Sequence, residues 1–254
     1  MKMRWLTFGL WMLVSSAALA QEFKLAKSTG SIDITELNKV MIEGYAGNEI
    51  VFRSRDHDKG HDERAEGLRA IGNFGLEDNT GIGLSVIDNS GVVEVRQLKK
   101  MDGPNILIRV PQGMRIRYTH SSPYGSGLEL SSLEGEIEVS TVHNKVHLQN
   151  VTGSVKVRTV HGDVDGVFGA VKNSISIAST HGHVDVAMPI STKANLNIGT
   201  SYGTIFIDPD FEIQMDKTGS VVKYNDKLSG KLNGGGVEVR LSSEHDNVYL
   251  RKNN

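Results

Sequence analysis

The chain has 254 residues, a formal net charge of −2, no cysteine, and 38 % hydrophobic against 23 % charged residues. The lack of cysteine excludes disulfides and thiolate metal sites. Near-neutral charge without a Lys/Arg cluster argues against nucleic acid, whose affinity rests on neutralising phosphates.

The first twenty residues read as a secretory signal peptide. Lys2 and Arg4 precede an apolar run from Trp5 to Val14, and Ala17-Ala18-Leu19-Ala20 forms a small-x-small exit with cleavage expected after Ala20. The apolar run is too short to span a bilayer, which takes roughly 20 residues. No membrane span is expected after cleavage, and with no Cys following Ala20 no lipid anchor is expected either. Loss of Lys2 and Arg4 takes the formal charge from −2 to −4, and loss of Trp5 and Trp11 leaves the mature chain without tryptophan. The expected location is outside the cytoplasm, in the periplasm or at the cell surface.

Residues 21–254 read as one all-β domain. Ile32/Ile34, Val40/Ile42 and Ile50/Phe52 alternate with polar residues, the period of a strand with one buried face. Residues 53–67 break the pattern with dense charge and predict an exposed loop, with one helical turn near Glu63–Leu68. Within it, Asp56, His57, Asp58, His61 and Asp62 could bind a metal loosely, although a solvated loop produces the same composition. Strand signals resume at 81–86, 92–95, 106–110 and 114–118, and no long segment shows apolar positions at helical spacing.

From 118 to 250 a phrase repeats: two alternating apolar residues, a step, His or Tyr, a small residue, and two more alternating apolar residues. Its centres are His143, His161, His181, Tyr202 and His245, with Tyr124 a degenerate copy. Ile137/Val139, Val155/Val157, Ile175/Ile177, Leu196/Ile198 and Val239/Leu241 precede them at fixed offsets. Steps from Tyr124 to Tyr202 are 19, 18, 20 and 21 residues, whereas Tyr202 to His245 is 43, about two turns, and predicts one irregular turn with a hairpin or excursion at 208–236. One copy cannot bury its apolar face, but copies stacked about 4.8 Å apart align like residues into inward ladders. The expected fold is a single-domain β-solenoid, parallel β-helix-like, with coils of about 18–21 residues. A β-sandwich also has regularly spaced strands but does not require fixed offsets. A transmembrane barrel needs apolar outward residues, where this chain has Glu138, Lys145, Lys156, Asp163 and Asp185.

The repeat, the phrase Asp78-Asn79-Thr80-Gly81-Ile82-Gly83-Leu84, and the ending Leu232-Asn233-Gly234-Gly235-Gly236 with Asn247-Val248-Tyr249-Leu250-Arg251-Lys252 resemble an exported bacterial adhesin family of β-strand-repeat domains without assigned function. The resemblance implies a β-helix outside the cytoplasm and supplies no catalytic residues. The family's turn usually reads Ser-Gly, where this chain has His143-Asn144, His161-Gly162, His181-Gly182 and Tyr202-Gly203.

Two sets of residues could carry chemistry. In register, His143, His161 and His181 would lie close enough to offer nitrogen ligands to zinc, yet Tyr at the equivalent place suits a structural stacking ladder, with Thr141, Thr159, Ser179 and Thr200 satisfying turn backbone. Downstream, Lys145 and His147, Asp163 and Asp165, and His183 and Asp185 form an outward ladder. It reads either as solvated ion pairs or as a surface binding site of His147, Asp163, Asp165, His183 and Asp185, where adjacent carboxylates could share a hard cation. No motif of a hydrolase, metalloprotease or nucleotide-binding enzyme occurs. The expected function is a non-enzymatic envelope binding or structural module, without metal or cofactor, whose partner is an envelope polymer or protein. The alternative is a polysaccharide-active β-helix enzyme using Asp163, Asp165 and Asp185, assisted by Arg158 or Lys145. Self-association through an unpaired end coil is a further expectation, with Arg251-Lys252 blunting that edge.

Overall fold

The computed structural model describes residues 22–56, 63–65, 67–72, 75–215 and 226–253. The expected signal segment lies outside the described residues, as do His57 to Asp62 of the charged loop.

The N-terminal strands are β1 (Glu22–Leu25), β2 (Ser31–Thr35), β3 (Lys39–Tyr45), β4 (Ile50–Ser54), β5 (Leu84–Asn89), β6 (Val92–Gln97), β7 (Asn105–Pro111), β8 (Arg115–His120) and β9 (Gly127–Ser131). The repeats supply β10 (Ile137–Thr141), β11 (Val146–Gln149), β12 (Val155–Thr159), β13 (Val164–Val167), β14 (Ile175–Ser179) and β15 (Val184–Met188). There follow β16 (Ala194–Thr200), β17 (Ile205–Ile207), β18 (Ile213–Met215), β19 (Asp226–Leu232), β20 (Val237–Ser243) and β21 (Val248–Lys252). A 3₁₀ turn at Glu63–Ala65 is the helical element among the described residues, where the sequence predicts one helical turn.

The strands build two sheets, a ten-stranded sheet A and an eleven-stranded sheet B. Each coil gives one strand to each, and coil-to-coil pairing is parallel throughout. The fold is therefore the all-β solenoid that the repeats predict. Alternation decides which side chains go inside: β10, β12 and β14 each bury their first, third and fifth residues. Val139, Val157, Ile177, Leu241 and Ile198 form one inward ladder, each no more than 1 % exposed. Each aliphatic side chain so buried contributes about 1.5–3 kcal/mol.

The order of coils differs from the order of the chain. From one end the coils run β6/β7, β2/β3, β8/β9, β10/β11, β12/β13, β14/β15, β20/β21 and β16/β17. Both the first and the last coil of the chain are thus inserted between two others. The expectation that His245 lies two turns beyond Tyr202 is corrected: β20 sits between β14 and β16, and β21 between β15 and β17. The described residues of 208–236 add no parallel coil. They carry β18 and β19, which extend sheet B antiparallel beyond β16, and the chain then turns back into the stack. Asn233, Gly234 and Gly235 have positive φ at that turn, and the Asn233 side-chain amide donates to the carbonyls of Ile190 and Thr192 at 2.8 Å. Nothing in the apolar pattern forbids the insertion, because every copy presents the same inward residues at the same offsets.

Arg251-Lys252 consequently does not blunt an end coil, since β21 is interior. At one end antiparallel β5 covers β6, while β4 and β1 cover β7. At the other, β19 and β18 cover β16, and β17 is the outermost strand of sheet A. The Asp78 phrase is a turn device: the Asp78 carboxylate accepts from the N–H groups of Thr80, Gly81 and Gly83 at 2.8–2.9 Å. Asn79 bridges both backbone groups of Val86.

Candidate functional site

At the corner between the two strands of each coil stands the His/Tyr ladder. Its spatial order is His143, His161, His181, His245, Tyr202, with ring centroids 5.2, 4.8, 4.6 and 4.8 Å apart and interplanar angles of 23°, 8°, 9° and 1°. The rings are exposed and fill no interior corner; Tyr202 is 73 % exposed. Half-exposed Tyr124 joins no ring stack among the described residues. Imidazole lone pairs lie in the ring plane, so near-parallel rings point them side by side and do not converge them on one ion. Among the described residues no group of three or more His, Asp or Glu is arranged to hold a metal.

The corner is held by its backbone. The hydroxyls of Thr141, Thr159, Ser179, Thr200 and Ser243 each accept the N–H three residues on, at 2.9–3.2 Å. The Ser179 and Ser243 hydroxyls also donate to the carbonyl of the coil before, at 3.1 and 2.9 Å. Glycine follows three of the five rings where coils touch: a Cβ on Gly162 would run into the Asn144 carbonyl oxygen, one on Gly182 into that of Gly162, and one on Gly203 into that of Asp246, while Asn144 and Asp246 follow His143 and His245.

Beyond the corner, the outward residues of sheet A form a connected polar face. Strand register sets His147 beside Asp165 and Asp165 beside Asp185. Lys145 Nζ lies 2.9 Å from Asp163, and His183 bridges two carboxylates, Nδ1 to Asp163 at 3.2 Å and Nε2 to Asp165 at 3.0 Å. Burial pulls the Asp163 carboxyl up, but Lys145 and His183 outweigh it and hold the group below its ordinary pKa. Asp185 is taken by Arg251, whose Nε lies 2.8 Å from both of its oxygens. Arg251 also lies over Tyr249 at 5.0 Å, and Tyr249 stacks on Phe206 at 5.1 Å. The inserted last coil thus brings Tyr249 and Arg251 against the predicted ladder, a juxtaposition the chain order hides.

Of the third predicted cluster, Asp56 accepts from the Asn105 N–H at 3.1 Å, and His57, Asp58, His61 and Asp62 lie outside the described residues. Two further features escape the sequence reading. One is an open trough of about 820 Å³ on the outer face of sheet B, bordered by Arg158, Arg240 and Lys227. Arg158 reads there as a helper in catalysis, and Arg240 could be placed beside it only once β20 was known to lie between β14 and β16. The other is interior. His120 and Asn144 are buried, Asn144 donates to the Tyr118 hydroxyl at 2.7 Å, and Tyr118 donates to the Leu37 carbonyl at 2.7 Å. Tyr118 and His120 alternate correctly for a strand, and only their polarity obscures their inward aspect.

Residues 126–251 match the family model of Toastrack DUF4097. None of the curated proteins matches the chain. A crystal structure of a "putative cell adhesion protein" from Clostridium sporogenes is similar at 12 % identity, covering 92 % of this chain and 100 % of that one, with a TM-score of 0.46. The match covers residues 126–251, the span of the regular coils, and over that span this chain is similar to the Toastrack DUF4097 family.

Proposed function

We propose that the protein is an exported, non-enzymatic binding module of the cell envelope, and that the outer face of sheet A is its contact surface. The observation that carries this reading is the network on that face, where His183 joins Asp163 and Asp165 and Arg251 joins Asp185 and Tyr249. These side chains project from parallel strands locked on both sides, so little conformational entropy remains to be lost on contact. Tyr and Arg are the residue types that dominate interface energetics. For sugar hydrolysis, two carboxyl groups must divide acid and base roles. Here Asp163 and Asp185 are bound to Lys145 and Arg251, and Asp163 is held below its ordinary range, the opposite of what a general acid requires. The Lys2/Arg4 start, the apolar run and the exit at Ala20 support export, and among the described residues no helix is long and apolar enough to cross a membrane.

Co-sedimentation of purified protein with isolated cell envelopes tests the proposal. The expected result is saturable binding, weakened about tenfold or more by combined His183→Ala, Tyr249→Ala and Arg251→Ala substitutions, since each anchor contributes on the order of 1 kcal/mol or more. Equal binding by the variant overturns it. Release of reducing ends from envelope glycans by the wild-type protein overturns the non-enzymatic reading.

A further inference from the structure

We propose that the trough on the outer face of sheet B is a separate site for an acidic polysaccharide. The proposal extends the binding-module reading to a face that shares no residue with the sheet A network.

Across sheet B, outward charges first alternate and pair. Asp33 meets Arg117 at 3.3 Å, Arg117 meets Glu138 at 3.5 Å, and Glu138 meets Lys156 at 2.6 Å. Past Lys156 the alternation stops while cations continue. Arg158 has Ser140 and Ala178 as its register neighbours and no carboxylate partner among the described residues. Arg240 lies between Ser176 and Asn197 and reaches only Glu238, at 3.8 Å and with both groups well exposed. Lys227 stands beside Gly199 and likewise has no carboxylate partner among the described residues. Arg158 and Lys227 have no carboxylate partner among the described residues for an incoming anion to displace, and Arg240 has only a long, well-exposed contact, which contributes little.

The floor between them consists of Ser140, Ser176, Ala178, Ser242 and Gly199, whose small side chains leave the open volume of about 820 Å³. The trough crosses β10, β12, β14, β20, β16 and β19, a run of about 24 Å at ordinary strand spacing. The hydroxyls of Ser140, Ser176 and Ser242 are spread over this floor, offering donors and acceptors that suit a hydroxyl-rich polymer. The side-chain types of the lining narrow the class. No aromatic residue lines the trough, so neutral sugars would lack a stacking platform, and single-stranded nucleic acid would lack the one it uses. Charge must then provide the attraction, with Glu244 at the rim the one carboxylate among its lining residues.

Fluorescence polarisation with a labelled oligogalacturonate tests the site on the full mature chain. Parallel arms use labelled dextran sulfate, neutral dextran and a single-stranded oligonucleotide. Binding of oligogalacturonate or dextran sulfate is expected, falling as salt rises, with neutral dextran inert; the tighter of the two ligands identifies carboxylate or sulfate as the recognised acid. Combined Arg158→Glu and Arg240→Glu substitution should raise Kd by about tenfold or more. Lys156→Ala, which removes a paired cation outside the trough, should leave Kd unchanged. Both substituted arginines are exposed, and thermal melting checks that the fold is retained. The proposal is overturned if neither acidic glycan binds, if the double variant binds them equally well, or if the oligonucleotide binds more tightly than both. The sheet A variant keeps its glycan affinity if the two faces act independently, so failure at the trough leaves the envelope-binding reading standing on its own test.

Discussion

Behind His161, His181 and Tyr202, the glycine carries more of the fold than the ring does. Gly182 approaches the carbonyl of Gly162 too closely for any Cβ, so Gly182→Ala must push two coils apart. Overpacking of this kind costs about 1–3 kcal/mol, and a lower urea midpoint with an unchanged m-value is the expected reading. Tyr202→Ala, which truncates an exposed end ring, should change stability by less than about 1 kcal/mol. A second residue-scale prediction concerns acid. Burial holds the His120 imidazole below its ordinary pKa, opposed by Glu36 and reinforced by His143, so His120 folds neutral. An unfolded His takes up its proton near pH 6.5, so below that pH the unfolded state binds more protons and stability falls; above it the contribution is fully present. Burial raises the Glu36 carboxyl, but the Ser121 hydroxyl and the Ser121 and Ser122 N–H groups, with His120, bring it below its ordinary value. Its stabilisation is lost only as pH falls further, through that lowered pKa. In urea titrations between about pH 6.5 and 5, His120→Phe should show a shallower loss of stability than the wild-type chain; parallel slopes would contradict the buried neutral His. The corner hydroxyls were legible in the sequence because their bonds span three residues. The His120 environment was not, because Asn38 and Glu36 come from a coil more than eighty positions away.

At the scale of elements, the sequence reveals the coils but hides their order. Offsets of Ile175/Ile177, Leu196/Ile198 and Val239/Leu241 are identical, so each apolar ladder accepts any copy as its neighbour. What selects the inserted order lies between the copies: β19 occupies the outer edge of β16, and the turn at Asn233–Gly236 directs β20 to the inner one. The 43-residue step from Tyr202 to His245 signalled an interruption without disclosing its direction. Insertion has a consequence that an ordinary solenoid lacks. Removing a terminal coil usually shortens such a stack, because stability accumulates from neighbour to neighbour. Deleting residues 237–254 here would instead separate β14/β15 from β16/β17 and uncover Ile177, Ile198 and Val184. The truncated chain should therefore fail to give a soluble, cooperatively melting protein. Native-state hydrogen exchange offers a gentler check, with β20 and β21 among the slowest-exchanging segments although they end the chain, and β17 and β18 faster. Rapid exchange across residues 237–252 would contradict the inserted order.

The whole molecule is a rigid stack whose two sheets present different chemistry to solvent. Sheet A offers carboxylates bridged by His183 and Arg251 beside the Tyr249/Phe206 pair, whereas sheet B offers exposed, weakly paired or unpartnered cations over a floor of small residues. The sequence showed the first face, since its charges follow each centre at a fixed offset. The second depends on a coil placed out of chain order. Individual exposed ion pairs contribute only about 0–1 kcal/mol, so neither face is needed to hold the fold together, and both remain available for contact. Substitutions on either face should accordingly alter melting only slightly while altering binding strongly. The most direct measurement of the binding-module account is hydroxyl-radical footprinting of the mature chain with and without isolated cell envelopes. The account predicts protection of His183, Phe206 and Tyr249 by envelopes, with Met41 and Tyr45 at the far end of sheet A less affected. Unchanged labelling of His183, Phe206 and Tyr249 in the presence of bound envelopes would contradict it.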